Sequence, residues 1–160
     1  MTIYLVRHAR AGERSAWRRD DFFRPLSRAG RSQARGLIPL LSDARFDRLL
    51  SSPYVRCLES LVPLAGTRRL ALEPDDALGE GGDLDAVLTI IRKHMGTGAV
   101  LCSHGDVIPA VLAHLAASGV DIGKNPRCPK GCTWVLEAGG GADITQVRYL
   151  PPPPDPEPQE

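Results

Sequence analysis

The run Ile3-Tyr4-Leu5-Val6-Arg7-His8-Ala9 joins four apolar or aromatic residues directly to an arginine and a histidine. A continuous apolar run with polar residues after it is typical of a fully buried strand, so we expect a first strand over about residues 2–8. In open α/β sheets, ligands bind at the carboxyl ends of the strands. A guanidinium group offers a fixed fork of donors that suits phosphate oxygens, and an imidazole can act as a nucleophile or a general base. The stretch therefore predicts that Arg7 and His8 reach an anion-binding edge of a sheet.

The composition describes one domain with a balanced charge. The chain has 160 residues, 20 basic and 19 acidic side chains, and a formal net charge of +1. A length of this order is enough for a sizeable core, and the balance argues against a dedicated nucleic-acid or membrane binder. No apolar run is long enough for a membrane span, and the N-terminus lacks the charged region of a signal peptide. We therefore expect a cytoplasmic protein that binds neither nucleic acid nor membrane.

Apolar strand patterns and amphipathic helix patterns alternate along the chain. We expect an α/β fold with three layers, α/β/α, and a mostly parallel sheet with an antiparallel edge strand. The last two strands flank Ala138-Gly139-Gly140-Gly141, a short glycine-rich connection that predicts an antiparallel hairpin. The expected helices start after Ser27, cover 54–65, start after Asp83 and cover 106–118; the expected later strands cover 46–52, 70–72, 99–102, 133–137 and 144–149.

Two segments do not fit either periodic pattern. The stretch 151–160 is rich in proline, so we assign the domain to residues 1–150 and a disordered, proline-rich tail to 151–160. The polar stretch 9–24 is expected to be a loop, and it could be either solvated surface or a substrate-facing loop with spare arginines. The natural substrate depends on this loop and on those at 74–83 and 119–132.

Three strand ends carry residues suited to phosphate chemistry. They are Arg7-His8, Ser51-Ser52-Pro53 leading to Arg56, and Ser103-His104-Gly105. Parallel strands bring their carboxyl ends to one rim, and the helix N-termini that follow favour an anion. Two arginines could then clamp the phosphoryl oxygens while one imidazole attacks phosphorus and the other donates to the developing charge.

The same residues resemble the signatures of the histidine phosphatase superfamily, which has the phosphoglycerate mutase-like fold. Val6-Arg7-His8-Ala9 resembles its R-H-G motif with alanine in place of the usual glycine, and Ser103-His104-Gly105 resembles its second histidine motif. Ser52-Pro53-Tyr54-Val55-Arg56-Cys57 resembles S-P-x-x-R-x, and the stretch 26–34 resembles L-[TS]-x-x-G-x-x-Q-A. The compact form is similar to the short phosphohistidine phosphatases. It is also similar to the phosphatase-like domain that follows a Nudix domain in some MutT-type hydrolases, although no Nudix box occurs in this sequence.

The resemblance implies a role for each matching residue. His8 would be the nucleophile that carries the phosphoryl group, and Arg7, Arg56 and His104 would hold the phosphoryl oxygens. Glu80 lies where the family often has its general acid, although Leu78-Gly79-Glu80-Gly81 matches that pattern only loosely. The substrate would be a phosphorylated small molecule or a phosphoprotein, and the reaction would need no cofactor and no metal.

Three functions remain open at this point: a phosphatase, a mutase of the same fold that returns the phosphoryl group, and a non-catalytic phospho-ligand binding module. A mutase needs a closed pocket, and the short loops of this chain disfavour it. The intact set of two arginines and two histidines disfavours the binding module. Cys128 and Cys132 form a lone C-x3-C pair, which predicts a local disulfide or free thiols rather than a zinc site.

Overall fold

A computed structural model of the chain describes residues 1–141 and 143–154. Its regular elements alternate as predicted, with the helices between the first five strands and a hairpin at the end. None of the helices in these residues is long and apolar enough to cross a membrane. The strands are β1 (Thr2–Arg7), β2 (Arg48–Ser51), β3 (Leu72–Pro74), β4 (Ala99–Ser103), β5 (Thr133–Ala138) and β6 (Ile144–Leu150), and the helices are α1 (Arg28–Leu40), α2 (Val55–Arg68), α3 (Leu84–His94) and α4 (Val107–Ala117).

The six strands form one sheet in the order β3-β2-β4-β1-β5-β6. The first four strands in this order are parallel to one another, and β5 is antiparallel both to β1 and to β6. The predicted fold class is therefore confirmed, but the antiparallel strand lies one position inside the edge. The reason is the hairpin: β5 pairs with β1, so β6 covers the outer side of β5 and becomes the edge strand.

The three layers follow from the alternation of side chains along the buried strands. On β4, Val100 and Cys102 face a cluster formed with α1 and α2, which includes Leu37 and Leu61. Leu101 faces the opposite cluster, where it meets apolar side chains of α3 and α4. All five residues of β4 are buried, as expected for a strand with helices on both faces. The strand that ends in Ser103 is thus fixed from both sides.

The predicted starts of α1 and α3 are confirmed. Ser27 caps α1, and its side chain accepts a hydrogen bond from the Gly30 N–H at 3.1 Å. Asp83 caps α3 and accepts from the Asp85 N–H at 3.4 Å. A cap of this kind satisfies one of the free N–H groups at a helix start. Pro39 is the last residue but one of α1, and the helix ends directly after it, since proline does not fit a helix interior.

Two boundaries differ from the predictions. The third strand covers Leu72–Pro74 rather than 70–72, because its register with β2 pairs Leu49 with Leu72 and Ser51 with Pro74. Proline is tolerated there, since β3 is an edge strand. The helix expected over 54–65 covers Val55–Arg68 instead, with Tyr54 as its cap.

The start of the proline-rich tail packs on the domain. Pro153 is buried, and a Cβ atom added to Gly36 of α1 would lie only 2.4 Å from the Pro153 Cβ. The absence of a side chain at Gly36 leaves the space that the Pro153 ring occupies. The prediction of disorder from Pro151 onward is therefore wrong for 151–154, while 155–160 lie outside the described residues.

Candidate active site

The nucleophile candidate stands directly after β1. The His8 N–H donates to the Ser103 carbonyl at 3.0 Å, which continues the pairing with β4 beyond the strand. The His8 Nδ1 lies 2.7 Å from the Ala9 carbonyl oxygen. Because a carbonyl oxygen can only accept, the neutral ring carries its proton on Nδ1 and keeps the lone pair on Nε2. Burial, with the neighbouring His104 ring and the charges of Arg56 and Arg7, lowers the pKa of His8 to about 3 against the opposing effect of the Ala9 hydrogen bond. The ring is thus neutral and nucleophilic near pH 7.

Alanine in place of the expected glycine is accommodated beside the nucleophile. Ala9 is 2% exposed and packs with Leu26 and Ala34. Its N–H donates to the Ser60 Oγ at 2.9 Å, and the Ser60 hydroxyl donates to the Arg56 carbonyl at 2.6 Å. The methyl group therefore fills a small apolar site, and the backbone of the nucleophile segment is tied to α2.

Arg7 is held by the loop before β5. Its Nη1 donates to the Cys128 carbonyl at 2.5 Å, and its backbone N–H donates to the Cys132 carbonyl at 3.0 Å. The guanidinium group lies against the backbone of Gly105: a Cβ atom at this glycine would be 2.6 Å from the Arg7 Cζ. The glycine of the Ser103-His104-Gly105 motif is therefore needed for the position of Arg7.

Arg56 lies in the first turn of α2 and is 1% exposed. Its Nη1 donates to the Asp21 carbonyl at 2.9 Å, and its Nη2 lies 3.0 Å from the Asp21 Oδ2 and 3.4 Å from the Glu80 Oε2. The guanidinium carbon also lies 4.9 Å from the centre of the Tyr54 ring. A buried guanidinium group with two carboxylates beside it is fixed in orientation.

His104 follows β4 and its ring centre lies 5.5 Å from that of His8. Its Nε2 is 2.8 Å from the Ser52 Oγ and 3.5 Å from the Cys57 Sγ. Its Nδ1 is buried and has no hydrogen-bond partner in the described part of the chain, and the same is true of the Nε atoms of Arg7 and Arg56. Buried donors are nearly always satisfied in folded proteins, so three such atoms around one site indicate an acceptor-rich ligand.

These side chains surround one polar cavity of about 550 Å³. All five predicted site residues, Arg7, His8, Arg56, Glu80 and His104, line it, so the structure brings them together although they come from three strand ends and one loop. The other residues that line the cavity are Arg10, Ala11, Gly12, Glu13, Arg14, Arg24, Gly105, Asp106 and Lys130.

Glu80 contributes a carboxylate at the edge of this cavity. Its Oε1 lies 3.5 Å from an Arg14 nitrogen, and its Oε2 faces Arg56 at 3.4 Å. The Asp106 carboxylate accepts from the Gly81 N–H at 2.7 Å and so fixes the glycine-rich loop that carries Glu80. The loop that was predicted from glycine content alone therefore has a defined position at the site.

The α1 start explains why the L-[TS]-x-x-G-x-x-Q-A motif belongs to the site. A Cβ atom at Gly30 would lie 1.9 Å from the Arg10 carbonyl oxygen, which is possible only for glycine. The Ser27 N–H donates to the same oxygen at 2.9 Å, and the Gln33 Oε1 accepts from the Arg10 N–H at 3.0 Å. The motif fixes the backbone directly after the nucleophile.

The residue that the sequence analysis missed most clearly is Asp21. Its carboxylate receives hydrogen bonds from Arg56 and from the Arg24 Nε, the latter at 2.9 Å. Burial by itself would raise the pKa of Asp21, but the hydrogen bond from Arg24 and the charges of Arg56, Arg24 and Arg14 lower it below its ordinary value. The loop 9–24 therefore contributes to the site through residues 10–14, Asp21 and Arg24, while 15, 16 and 18–20 are exposed surface. The only signal was its density of arginines and aspartates.

The C-x3-C pair borders the site without forming a disulfide. Cys128 and Cys132 are free thiols with their sulfur atoms 3.9 Å apart. Both residues contact the site through their backbone, since their carbonyl oxygens accept hydrogen bonds from Arg7. Of the two states that the sequence left open, the structure has the free thiols.

Comparison with known proteins agrees with the geometry. The family model of the histidine phosphatase superfamily (branch 1) matches residues 3–85, which is more than half of the chain. An 8-oxo-(d)GTP phosphatase from Mycolicibacterium smegmatis is 31% identical over 157 residues, which are 95% of this chain and 48% of that protein. The chain thus spans about half the length of this curated relative.

Solved structures have the same fold. The protein histidine phosphatase SixA complexed with tungstate superposes with a TM-score of 0.73 at 18% identity, covering 94% of each chain. YhfR from Bacillus stearothermophilus gives 0.69 at 22% identity, covering 88% of this chain and 92% of that one. A mycobacterial glucosyl-3-phosphoglycerate phosphatase with VO3 gives 0.68 at 17% identity, covering 93% and 96%. The matched family, the shared fold and the cavity together show that the chain belongs to the histidine phosphatase superfamily.

Proposed function

We propose that the chain is a cofactor-independent phosphatase in which His8 carries the phosphoryl group as a covalent intermediate. The observation that carries this proposal is the state of the His8 ring. Its Nδ1 proton is used by the Ala9 carbonyl, and its Nε2 keeps a lone pair inside a cavity lined by Arg7, Arg56 and His104. An activated nucleophile beside fixed cationic donors is the arrangement that phosphoryl transfer needs.

The first step forms a bond between the His8 Nε2 and phosphorus while the bond from phosphorus to the leaving group breaks. The leaving group takes the bonding electrons and a proton. The charge on the phosphoryl oxygens is stabilised by Arg7, Arg56 and the Nδ1–H of His104. For that donation the Ser52 hydroxyl donates to the His104 Nε2, in agreement with their separation of 2.8 Å.

In the second step water attacks phosphorus, the bond to Nε2 breaks, and inorganic phosphate leaves. Glu80 is the proposed proton donor to the leaving group and then the base that takes the proton from water. Its support is its place in the cavity wall 3.4 Å from Arg56. The cavity rim carries the exposed side chains of Arg10, Arg14 and Lys130, so water reaches the intermediate, which favours hydrolysis over a mutase reaction.

The substrate is a phosphomonoester or a phosphoramidate. The similar proteins reported above are named as phosphatases for three kinds of substrate: a protein histidine, 8-oxo-(d)GTP and glucosyl-3-phosphoglycerate. Tungstate and VO3 in two of those structures are oxyanions of the phosphate type, which supports a phosphoryl group in the corresponding cavity here.

The test is turnover of p-nitrophenyl phosphate, with mass spectrometry of the protein quenched during turnover. The wild type should release p-nitrophenol and show the added mass of one phosphoryl group on the peptide that contains His8. His8→Ala should lose both signals by several orders of magnitude, and His94→Gln, which changes a histidine outside the cavity, should keep both. Retention of a tenth of the wild-type rate by His8→Ala would falsify the covalent mechanism.

A further inference from the structure

The cavity wall carries an excess of positive charge that the inner site does not account for. Six cationic side chains line it, against the three carboxylates of Glu13, Glu80 and Asp106. In the proposed mechanism, a phosphoryl group on His8 contacts two of these cations, Arg7 and Arg56. The six cationic residues are Arg7, Arg10, Arg14, Arg24, Arg56 and Lys130.

Three of the six are paired inside the protein. The Asp21 carboxylate takes Arg56 at 3.0 Å and Arg24 at 2.9 Å. Arg14 lies 3.5 Å from Glu80 and 3.7 Å from Asp21. These arginines have a structural partner even without a ligand, so they do not explain the remaining charge.

The side chains of Arg10 and Lys130 have no ion pair and no hydrogen bond to any of the described residues. Their backbones are nevertheless fixed. The Arg10 N–H donates to Gln33 at 3.0 Å. The N–H of Gly131, next to Lys130, lies 3.2 Å from the Arg7 carbonyl and 3.0 Å from the His8 carbonyl. The backbones that carry both cations are therefore tied to the nucleophile segment or to α1, and both side chains line the cavity.

Placing Lys130 here is electrostatically unfavourable. Burial, with the charges of Arg7, Arg24, Arg10 and Arg14, lowers the pKa of the Lys130 ammonium group below its ordinary value. A cleft lined by one sign of charge focuses its field on ligands of the opposite sign. A second anion bound between Arg10 and Lys130 would relieve this repulsion between the cations.

We propose that Arg10 and Lys130 form an outer subsite that binds a second phosphate group, next to the phosphoryl group that is transferred, so that the preferred substrates are diphosphate or polyphosphate esters. This inference rests on the proposed function for the inner site and extends its substrates from phosphomonoesters and phosphoramidates to phosphoric anhydrides. Arg10 and Lys130 are specificity residues in this scheme, since they contact the part of the substrate that does not react.

The reaction for such a substrate is balanced as follows. The His8 Nε2 attacks the terminal phosphorus, and the bond from that phosphorus to the bridging oxygen breaks. The bridging oxygen keeps the electron pair and stays on the shortened substrate as a phosphate oxygen. Its new negative charge develops beside Arg10 and Lys130, which stabilises the transition state and not only the bound substrate. Water then releases inorganic phosphate from His8.

The experiment compares two non-reacting ligands, inorganic phosphate and methylenediphosphonate, whose P–C–P linkage cannot be cleaved by phosphoryl transfer, by calorimetric titration of the full chain. The wild type should bind methylenediphosphonate more tightly than phosphate. Lys130→Gln and Arg10→Gln should each weaken methylenediphosphonate binding about three- to tenfold, and the double variant by about the product of the two. Phosphate, which occupies the inner site, should be weakened less by the same changes.

Lys124→Gln is the matched control, because Lys124 is exposed in the same loop as Lys130 but does not line the cavity. It should leave both affinities unchanged. Equal weakening of phosphate and methylenediphosphonate binding by Lys130→Gln, or an equal effect of Lys124→Gln, would show only a general field and would overturn the outer subsite. No preference of the wild type for methylenediphosphonate would overturn it as well.

Turnover separates this inference from the proposed function. The ratio of kcat/KM for a nucleoside diphosphate to kcat/KM for p-nitrophenyl phosphate should fall about tenfold in the double variant. If the wild type hydrolysed neither substrate, the proposed phosphatase would fail while the binding comparison still tested the subsite. If it hydrolysed p-nitrophenyl phosphate with a ratio that the variants left unchanged, the subsite alone would fail.

Discussion

Arg56 and Asp21, 35 positions apart, form a two-point contact at the centre of the site. The Arg56 Nη1 donates to the Asp21 carbonyl at 2.9 Å, and the Nη2 donates to the Asp21 Oδ2 at 3.0 Å. Asp21 is at the same time held by the Arg24 Nε at 2.9 Å. The loop before α1 thus orients an arginine of α2, and Asp21 acts as a positioning residue for a phosphate-binding group.

Arg56→Ala should lower kcat/KM for p-nitrophenyl phosphate by roughly one to two orders of magnitude, because a charge-assisted bond to the phosphoryl group is worth about 1.5–3 kcal/mol. Arg56→Lys should restore only part of the loss, since an ammonium group cannot replace a fork of donors. Steady-state kinetics and vanadate inhibition measure both effects. Full activity and full vanadate affinity in Arg56→Ala would place Arg56 outside the reacting site.

Asp21→Asn should have a smaller effect of the same sign, about three- to tenfold in kcat/KM, because it loosens Arg56 without removing it. Asp21→Glu should recover part of the loss if orientation is the cause. Vanadate affinity should fall in step with kcat/KM across the series. Asp43→Asn, on the exposed surface, is the control, and a matching loss in that variant would count against the positioning role.

The free energy of unfolding should decrease as the pH is lowered, because His8 stays neutral in the folded chain. Its pKa of about 3 in the folded chain lies below the ordinary value of 6.5. Between these pH values the unfolded chain binds a proton at this residue that the folded chain does not bind. The stabilisation is therefore complete above about pH 6.5 and decreases as the pH falls toward 3, by roughly 2 kcal/mol between pH 7 and pH 5.

Urea unfolding at pH 7 and pH 5 measures this dependence. His8→Gln has no titrating group at the position, so its loss of stability over the same interval should be smaller by that amount. Parallel curves for the wild type and His8→Gln would mean that the His8 ring becomes charged without opposition in the folded chain.

Activity should survive treatment with EDTA. Arg7, Arg56 and His104 supply positive charge and donors at the phosphoryl site, and we expect no metal to be needed. The check is p-nitrophenyl phosphate turnover after dialysis against the chelator, with and without added Mg²⁺ or Zn²⁺. Loss of activity that a divalent ion restores would assign His8 and His104 to a metal instead.

Removal of the chain after Pro154 should leave the melting temperature unchanged, whereas removal after Leu150 should destabilise the domain by about 1 kcal/mol, since Pro153 loses its buried contact with Gly36. Gly36→Ala tests the same contact in the two shortened chains, one ending at Leu150 and the other at Pro154. In the chain that ends at Leu150, the substitution should stabilise α1 by about 0.5–1 kcal/mol. In the chain that ends at Pro154 the added methyl group meets Pro153 and the gain should vanish. Equal gains in both would show that Pro153 does not rest on α1.

The fold and the inner site were predictable because their signals are local. Arg7, His8 and His104 each come within two residues after an apolar run, and the parallel order of the strands brings such ends to one rim. Arg56 was assigned from the resemblance of the 52–57 stretch to S-P-x-x-R-x. The position of β5 was not predictable in the same way, because its partner β1 lies more than a hundred residues away and a hairpin pattern does not state which strand it joins.

Asp21, Lys130 and Pro153 depend on contacts that no periodic pattern encodes. Asp21 lies in an aperiodic loop, and its partner is fixed only when that loop crosses α2. Lys130 looks like any exposed lysine until Gly131 binds the backbone of Arg7 and His8. Pro153 lies in a proline-rich segment whose composition favours disorder, but its ring packs in the space that the missing side chain of Gly36 leaves on α1.

The chain of hydrogen bonds from the Ala9 N–H through the Ser60 hydroxyl to the Arg56 carbonyl links the nucleophile segment to the arginine helix without a ligand. These contacts fix the two segments relative to each other, so we expect oxyanion binding to need no slow rearrangement of either. Association should then be a single kinetic step whose observed rate rises linearly with ligand concentration, without the plateau that a slow conformational change would impose. In the terms of enzyme kinetics, differences in affinity between ligands should therefore arise mainly from their dissociation rates.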